Sequence, residues 1–340
     1  MTKQKVRKIY YINRYDSNKR KQVRENTGYE QIIKYSKVFV KVTPNKLISK
    51  LLLKLFRKKV PADYIGLTIG EELVLFFKAL ITGEPVFYLY ADKDAFLLPL
   101  LKKKFNLKRI KLYGTLHWPK EISHNFSFYK YNLASTFNGI ITLSSSLSKL
   151  SFNNVEVIPH GINNEYWFND NHSDFDNYYL IIGVSNRDHK KQIDIINKII
   201  DIDPLARFKV VISHKTIREA YRELPHTEIF ETRIGDKDLK YLYLRAKAVI
   251  LFQNYCLASN VVLESLAMGV PVLTNNVGDI SEYLGTEYPL YIDNESDSNK
   301  LNMITSSGSF RSKTVNHLLS RRNQFGWSNI AAKTEAFIVQ

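Results

Sequence analysis

Short apolar runs, spaced to leave room for one helix each, recur along this chain and restart once. "RKIYYIN", "VFVKV", "PVFYLYA", "IKLYGTL", "GIITLS" and "VEVIPHGI" read as strands of a first series, with helical stretches at 28–37, 71–82 and 95–105. "YYLIIGV", "FKVVIS", "EIFET", "AVILF" and the run at Val272-Leu273 form a second series. Helices at 191–200, near 216–223, at 236–246 and from 260 onward separate these strands. Two residues can join antiparallel strands, whereas parallel strands need a crossover of a dozen or more, usually a helix. The pattern therefore predicts an α/β chain with parallel sheets covered on both faces. Between the series, "NNEYWFNDNHSDFDN" is polar, aromatic and irregular, and reads as a linker. Residues 294–314 are weakly patterned and 315–338 read as helical. The expected domains are 1–160, 161–320 and a closing helix at 321–340.

A chain of 340 residues, 44% hydrophobic, is long enough for two cores. Its single cysteine, Cys256, excludes an intramolecular disulfide and points to a reducing compartment, expected to be the cytoplasm. The start carries only a four-residue apolar run, so no export signal is expected. The longest apolar stretch, "ELVLFFKALI", is too short to span a bilayer and carries Lys78.

The charge is concentrated. Residues 1–60 hold 18 Lys and Arg against 3 Asp and Glu, nearly all of the net +16. Within them, Leu47, Ile48, Leu51, Leu52 and Leu55 form an apolar stripe bordered by Lys46, Lys50, Lys54, Arg57, Lys58 and Lys59. Such a helix suits an anionic membrane face. An outer helix turning its stripe toward the sheet explains the same pattern.

The stretch "NYCLASNVVLESLAMGVPVLTNNVG" carries the chemistry. Ser259 or Asn260 suits a helix N-cap, Gly269 a left-handed stop, and Pro271 forbids the helix to resume. Val261, Leu263, Leu266 and Ala267 give an apolar face. Glu264 sits among them, and a carboxylate there is costly without partners. The helix N-terminus offers amides and a positive dipole end to an anion. Arg187, Lys190 and Lys191, past the strand that ends at Gly183, offer cations. Read alone, "NRDHKK" is a solvated loop, and the helix block beyond it turns the reading toward a phosphate site.

This block resembles the retaining nucleotide-sugar glycosyltransferases of the GT-B fold, family 4. The Glu-x7-Glu region followed by Ala-Met-Ala-x-Gly-x-Pro-Val is its most specific match, in "LASNVVLESLAMGVPVL". "VEVIPHGIN", "LIIGVSNRDHKKQIDII", "YGTLHWP", "ITLSSSLSKL" and "FGWSNIA" resemble further family segments in the family's order. The resemblance implies two Rossmann-like domains facing each other across a cleft, with the C-terminal helix crossing back to the first. It implies transfer of a sugar from UDP-sugar or GDP-sugar to a glycan or lipid-linked acceptor, without metal, cofactor or nucleic acid. Surface polysaccharide, capsule or glycolipid synthesis at the inner face of the plasma membrane is the expected setting.

By the same resemblance, Glu264 holds the ribose hydroxyls, and Ser259, Asn260 and Val261 face the phosphates. Arg187 stands one residue past the family arginine position, which is Asn186 here, and Lys191 matches the family lysine. The nucleotide base is expected near Thr232, Arg233 and Ile234. His117 matches the family's cleft histidine and, with Glu264, is a catalytic position. His160, Gly161 and Gly28 are expected at the cleft, although the usual first-domain Gly-Gly is missing. The first Glu of Glu-x7-Glu falls on Cys256, the main departure. No general base is implied, because the leaving phosphate takes the acceptor proton.

Asp92-Lys93-Asp94 follows a strand as an Asp-x-Asp metal site would, but it lies in the half without the phosphate turn and reads as a strand-end turn. Two other readings stand beside the transferase. A non-catalytic partner of another transferase would explain Cys256, and a nucleic-acid-binding protein would explain the basic N-terminus, though no such motif accompanies it.

Overall fold

The computed structural model describes residues 8–12, 25–43, 46–56, 68–119, 123–147, 154–170, 175–232, 234–294 and 297–340. The chain divides into two compact units. One comprises Met1–Ser17, Tyr29–His160 and Ser328–Gln340, and the other Asn18–Gly28 and Gly161–Trp327.

The first unit is built on a six-stranded parallel sheet. Its strands are β1 (Ile9–Ile12), β2 (Phe39–Lys41), β3 (Val86–Tyr88), β4 (Leu112–Leu116), β5 (Gly139–Thr142) and β6 (Val155–Val157). Their spatial order is β2-β1-β3-β4-β5-β6. Ile9 pairs with Phe39 on one side of β1, and Tyr10 with Val86 on the other. Every residue of β1, β3, β4 and β5 is buried, as expected for parallel strands covered on both faces. The final helix, Trp327–Val339, belongs to this unit beyond Trp327. Its Phe337 packs on Tyr113 at 5.8 Å, and a Cβ on Gly139 would strike that ring.

Two further helices sit outside this sheet. Ser49 of the helix Lys46–Phe56 is buried, and it lies so close to Gly70 of the helix Thr68–Thr82 that a Cβ there would overlap its hydroxyl. Glycine is required for that crossing. The contact turns Leu47, Leu51 and Leu55 outward, at 75%, 58% and 69% exposure. Lys50 and Lys54 are exposed as well. These three leucines therefore do not face the sheet. Arg57, Lys58 and Lys59 lie outside the described residues.

Glu72 anchors the middle of the unit. It is fully buried, and its Oε1 accepts hydrogen bonds from Tyr88 Oη at 2.7 Å and Phe96 N at 3.0 Å. Its Oε2 accepts from Leu97 N at 2.6 Å, supplying a partner at the start of the helix Leu97–Lys104 that the chain otherwise leaves orphaned.

The second unit holds a five-stranded parallel sheet of β7 (Tyr178–Ile182), β8 (Arg207–Val211), β9 (Thr227–Phe230), β10 (Ala246–Leu251) and β11 (Val272–Thr274). The spatial order is β11-β10-β7-β8-β9, so β7 pairs with β10 on one side and β8 on the other. Helices His189–Ile202, Asp236–Arg245 and Asn260–Met268 follow β7, β9 and β10.

Three sequence readings need correction. The segment read as a linker contains Trp167, which is fully buried and donates its Nε1 to Asn26 O at 3.1 Å. The weakly patterned stretch at 294–314 contains the helix Ser298–Ser306 and the start of Gly308–Arg322. Short polar helices lack the apolar periodicity that marks longer ones. The single helix read at 315–338 is two, broken at Asn323–Gly326, where Ile162 N donates to Phe325 O.

Among the described residues, no helix is long and apolar enough to cross a membrane. Glu72→Ala strips three buried donors of their acceptor and should cost about 3 kcal/mol or more. Glu72→Gln keeps an acceptor oxygen and should cost less, as read from urea denaturation midpoints.

Candidate functional site

In an open parallel sheet, ligands bind beyond the carboxyl ends of the strands where the strand order reverses. In the second unit that point lies between β7 and β10. Backbone contacts lock the two loops leaving these strands side by side. Asp188 N donates to Phe252 O at 2.9 Å, Asn254 N donates to Asn186 O at 3.0 Å, and Arg187 bridges Gln253. Gly183 (φ 84°) and Asn186 (φ 58°) take left-handed conformations that turn the first loop back on itself. Asp188 then caps the helix His189–Ile202 by accepting from Lys191 N at 2.9 Å.

Arg187 folds into this corner. Its Nη1 donates to Ser185 O at 3.1 Å. Burial lowers its guanidinium from the usual arginine range, and its electrostatic neighbours are Cys256, Tyr243, Glu264 and Tyr221. Tyr221 Oη contacts His189 Nδ1 at 2.9 Å, and burial raises that phenol well above its ordinary value.

Glu264 lies in the helix Asn260–Met268 and is fully buried. Its Oε1 accepts from Thr27 Oγ1 at 3.2 Å and its Oε2 from Tyr243 Oη at 3.0 Å. Residues 261–268 are all buried, so the apolar face read from the sequence extends around the whole helix. Gly269 (φ 65°) stops it as expected. Ser259 occupies the N-cap position, but its side chain makes no capping bond, and its buried Oγ has no protein partner. Asn260 is exposed at the same end.

Cys256, whose thiol is almost fully buried, accepts a hydrogen bond from Asp279 N at its carbonyl oxygen, 3.3 Å away. Burial first, and then the Asp279 carboxylate, push that thiol far up. Asp279 Oδ2 also accepts from Ala258 N at 2.6 Å, holding Ala258 in a left-handed conformation (φ 53°) that a non-glycine residue rarely adopts. Burial raises Asp279 to about 6. Gly278 (φ 61°) packs where any Cβ would overlap the Cys256 carbonyl oxygen.

The first unit carries its own polar cluster past β3 and β4. The His117 ring stacks obliquely on Tyr90 at 4.2 Å and meets Tyr29 edge-on at 4.8 Å, with both ring nitrogens buried. Burial and the neighbouring His160 hold it well below the ordinary histidine value, so the ring is neutral at pH 7. His117 N donates to Asp92 Oδ2 at 2.9 Å. Asp92 and Asp94 are buried in a one-turn helix, Ala91–Asp94. Among the described residues, no group of three His, Cys, Asp or Glu could hold a metal.

Arg187 thus lies within electrostatic range of Cys256 and Glu264 in the second unit. Lys191 contributes its backbone to the Asp188 cap, Lys190 is exposed, and Ile234 is half-buried against the core. Arg233 lies outside the described residues. His160 ends the first unit, edge-on to Tyr29 at 5.5 Å, and Gly161 begins the second, pressed on Trp327. Gly28 (φ 107°) ends the segment that packs with the second unit. Sequence reading missed Thr27, Tyr243, Tyr221 and Asp279. None of the four carries a local signal, whereas Asp188, also passed over, is an acidic cap before an amphipathic run.

No protein-family model matches the sequence, and no curated protein matches it. Solved structures do match by shape. HepE from Anabaena, in complex with UDP and glucose, superposes with a TM-score of 0.65 at 12% identity, covering 98% of this chain and 99% of that one. A glycosyltransferase from Rickettsia africae gives 0.64 at 14% identity, with 98% of both chains covered. A variant of TarM from S. aureus, with fondaparinux, alpha-GlcNAc-glycerol and UDP, gives 0.56 at 14% identity over 80% of this chain. The chain spans 59% of that TarM structure. These likenesses establish the fold as α/β of the GT-B type, with two parallel sheets.

Two predictions follow from this geometry. Cys256 should resist thiol reagents in the folded protein, and Gly278→Ala or Asp279→Ala should speed its modification by roughly tenfold or more by releasing the loop. Burial lifts Asp92 from 3.8 to about 7, so the folded state keeps a proton that the unfolded state gives up at lower pH. Stability should therefore fall as pH rises from about 4 to 7. Asp92→Asn should flatten that part of the profile in pH-dependent urea denaturation.

Proposed function

We propose that the chain is a glycosyltransferase that binds a nucleoside diphosphate sugar on its second unit and transfers the sugar with retention of configuration. The observation that carries this reading is Glu264, a fully buried carboxylate in the helix that begins at the strand-order reversal, with Arg187 as an electrostatic neighbour. A vicinal diol can donate two hydrogen bonds to one carboxylate, so a ribose that takes over from the Thr27 and Tyr243 hydroxyls suits Glu264. Arg187 supplies a fork for phosphate oxygens, and the amides and dipole at Ser259–Val261 supply the rest of an anion site. The unsatisfied Ser259 hydroxyl adds one more donor. Lys190 and Lys191 border the diphosphate, and Ile234 lines the base. Because HepE and the TarM variant were solved with UDP, a UDP-sugar is the first donor to test and a GDP-sugar the second.

The acceptor is a glycan or lipid-linked saccharide. The acceptor oxygen bonds to the anomeric carbon as the bond to the diphosphate breaks, and its proton passes to the departing phosphate. No metal and no separate general base enter. Positioning and charge stabilisation do most of the work. His117 is assigned to a sugar hydroxyl, for which a neutral ring can donate from one nitrogen and accept at the other.

One observation favours a second reading. Cys256 is a buried thiol in the field of the Asp279 carboxylate and offers no carboxylate to a sugar, which suits a donor-binding subunit that does not itself catalyse.

Thermal unfolding against UDP, GDP, ADP, CMP and their sugars tests the donor site. A nucleotide at about 100 times its Kd stabilises by about 2.7 kcal/mol. Glu264→Ala and Arg187→Ala should each weaken binding by at least roughly tenfold, with Glu264→Gln as the isosteric control. If no nucleotide moves the melting temperature, the donor site is wrong. Stabilisation without sugar transfer or donor hydrolysis selects the subunit reading.

A further inference from the structure

We propose that the outer face of the helix Lys46–Phe56 docks on an anionic lipid bilayer. The helix lies in the interface plane, with its leucines in the acyl boundary and its lysines among the headgroups. This inference does not rest on the transferase reading.

A globular helix ordinarily hides its apolar stripe and exposes its polar side. Here Ser49 is inside and Leu52 packs against the core, while three leucines are outside. Ser49 is buried at the Gly70 crossing, while Leu47, Leu51 and Leu55 are 75%, 58% and 69% exposed. At 100° per residue, Leu47, Leu51 and Leu55 occupy one sector of the helix and Lys50 and Lys54 its immediate flank. The exposed sector is therefore half apolar and half cationic, divided along the helix axis. The helix KLISKLLLKLF contains three lysines and no acid.

The neighbouring helix extends the apolar surface. Phe77 and Ile81 are 53% and 73% exposed, and their spacing places them on the same side of Thr68–Thr82 as Gly70, the residue that receives Ser49. Exposed leucines invite either a protein partner or lipid. Charge decides between them. A second copy of this face would bring lysine against lysine. A bilayer with anionic headgroups offers negative charge beside an apolar phase, and it meets both halves of the sector at once. The excess of 18 basic over 3 acidic residues in 1–60 adds long-range attraction to the same kind of surface.

The test is co-sedimentation of the full chain with phosphatidylglycerol–phosphatidylcholine vesicles and with phosphatidylcholine alone. Binding should require the anionic lipid and weaken as salt is raised. K50Q/K54Q should lower partitioning roughly 10- to 30-fold, at about 1 kcal/mol per basic residue. L47Q/L51Q/L55Q should lower it at least roughly 50-fold, even at low salt. These substitutions are at exposed positions, and circular dichroism checks that each variant folds. The single variant L51Q replaces any that does not. Equal binding to phosphatidylcholine alone, or leucine variants that bind like the native chain, would overturn the proposal. So would a dimer in sedimentation velocity that L51Q dissociates while native protein ignores vesicles, which would assign the face to a second copy.

Discussion

Parallel pairing of β7 with β10, two strands far apart in sequence, is the constraint on which the second unit's candidate site depends. Once β8 and β9 build out on one side of β7, the chain must return to its other side to place β10 and β11. That return brings the ends of β7 and β10 together, and the loops leaving them become neighbours. The helix after β10 then starts where the loop after β7 turns. Strand order brings Arg187 and Glu264 within electrostatic range of each other, and neither residue's local sequence dictates it.

Several polar groups at this corner are held by other protein groups. Glu264 accepts from Thr27 and Tyr243, Asp279 Oδ2 accepts from Ala258 N, and Asp188 accepts from Lys191 N. A buried carboxylate without donors costs several kcal/mol, so each such group requires its partners to be placed before it can be tolerated. The same logic operates in the first unit, where Glu72 gathers Tyr88, Phe96 and Leu97. The surrounding rigidity has a chemical use. Donors and dipoles held by such networks need not reorganise when an anion arrives.

The basic helix illustrates how a surface is decided. Its amphipathic pattern is equally that of a helix packed on a sheet and of one lying on lipid. Gly70 breaks the tie, because only a residue without a side chain lets the helix rest on Ser49 and leaves three leucines outside. A glycine 21 positions away along the chain thus determines which face of a leucine-rich helix meets water.

What the sequence by itself determined was whatever depends on local periodicity. Alternating apolar runs and helices imposed parallel strands, Gly269 and Pro271 ended the helix that holds Glu264, and the lone cysteine ruled out a disulfide. The polar helix Ser298–Ser306 and the buried Trp167 escaped that reading, because neither shows the spacing that marks a core face. The tertiary structure alone decided which partners satisfy Glu264, that Cys256 is buried beside the loop carrying Asp279, and which side of the basic helix is exposed. Those outcomes rest on contacts between residues distant in the chain. Such contacts are selected by packing and by the need to pair buried polar groups, and no short stretch of sequence encodes either.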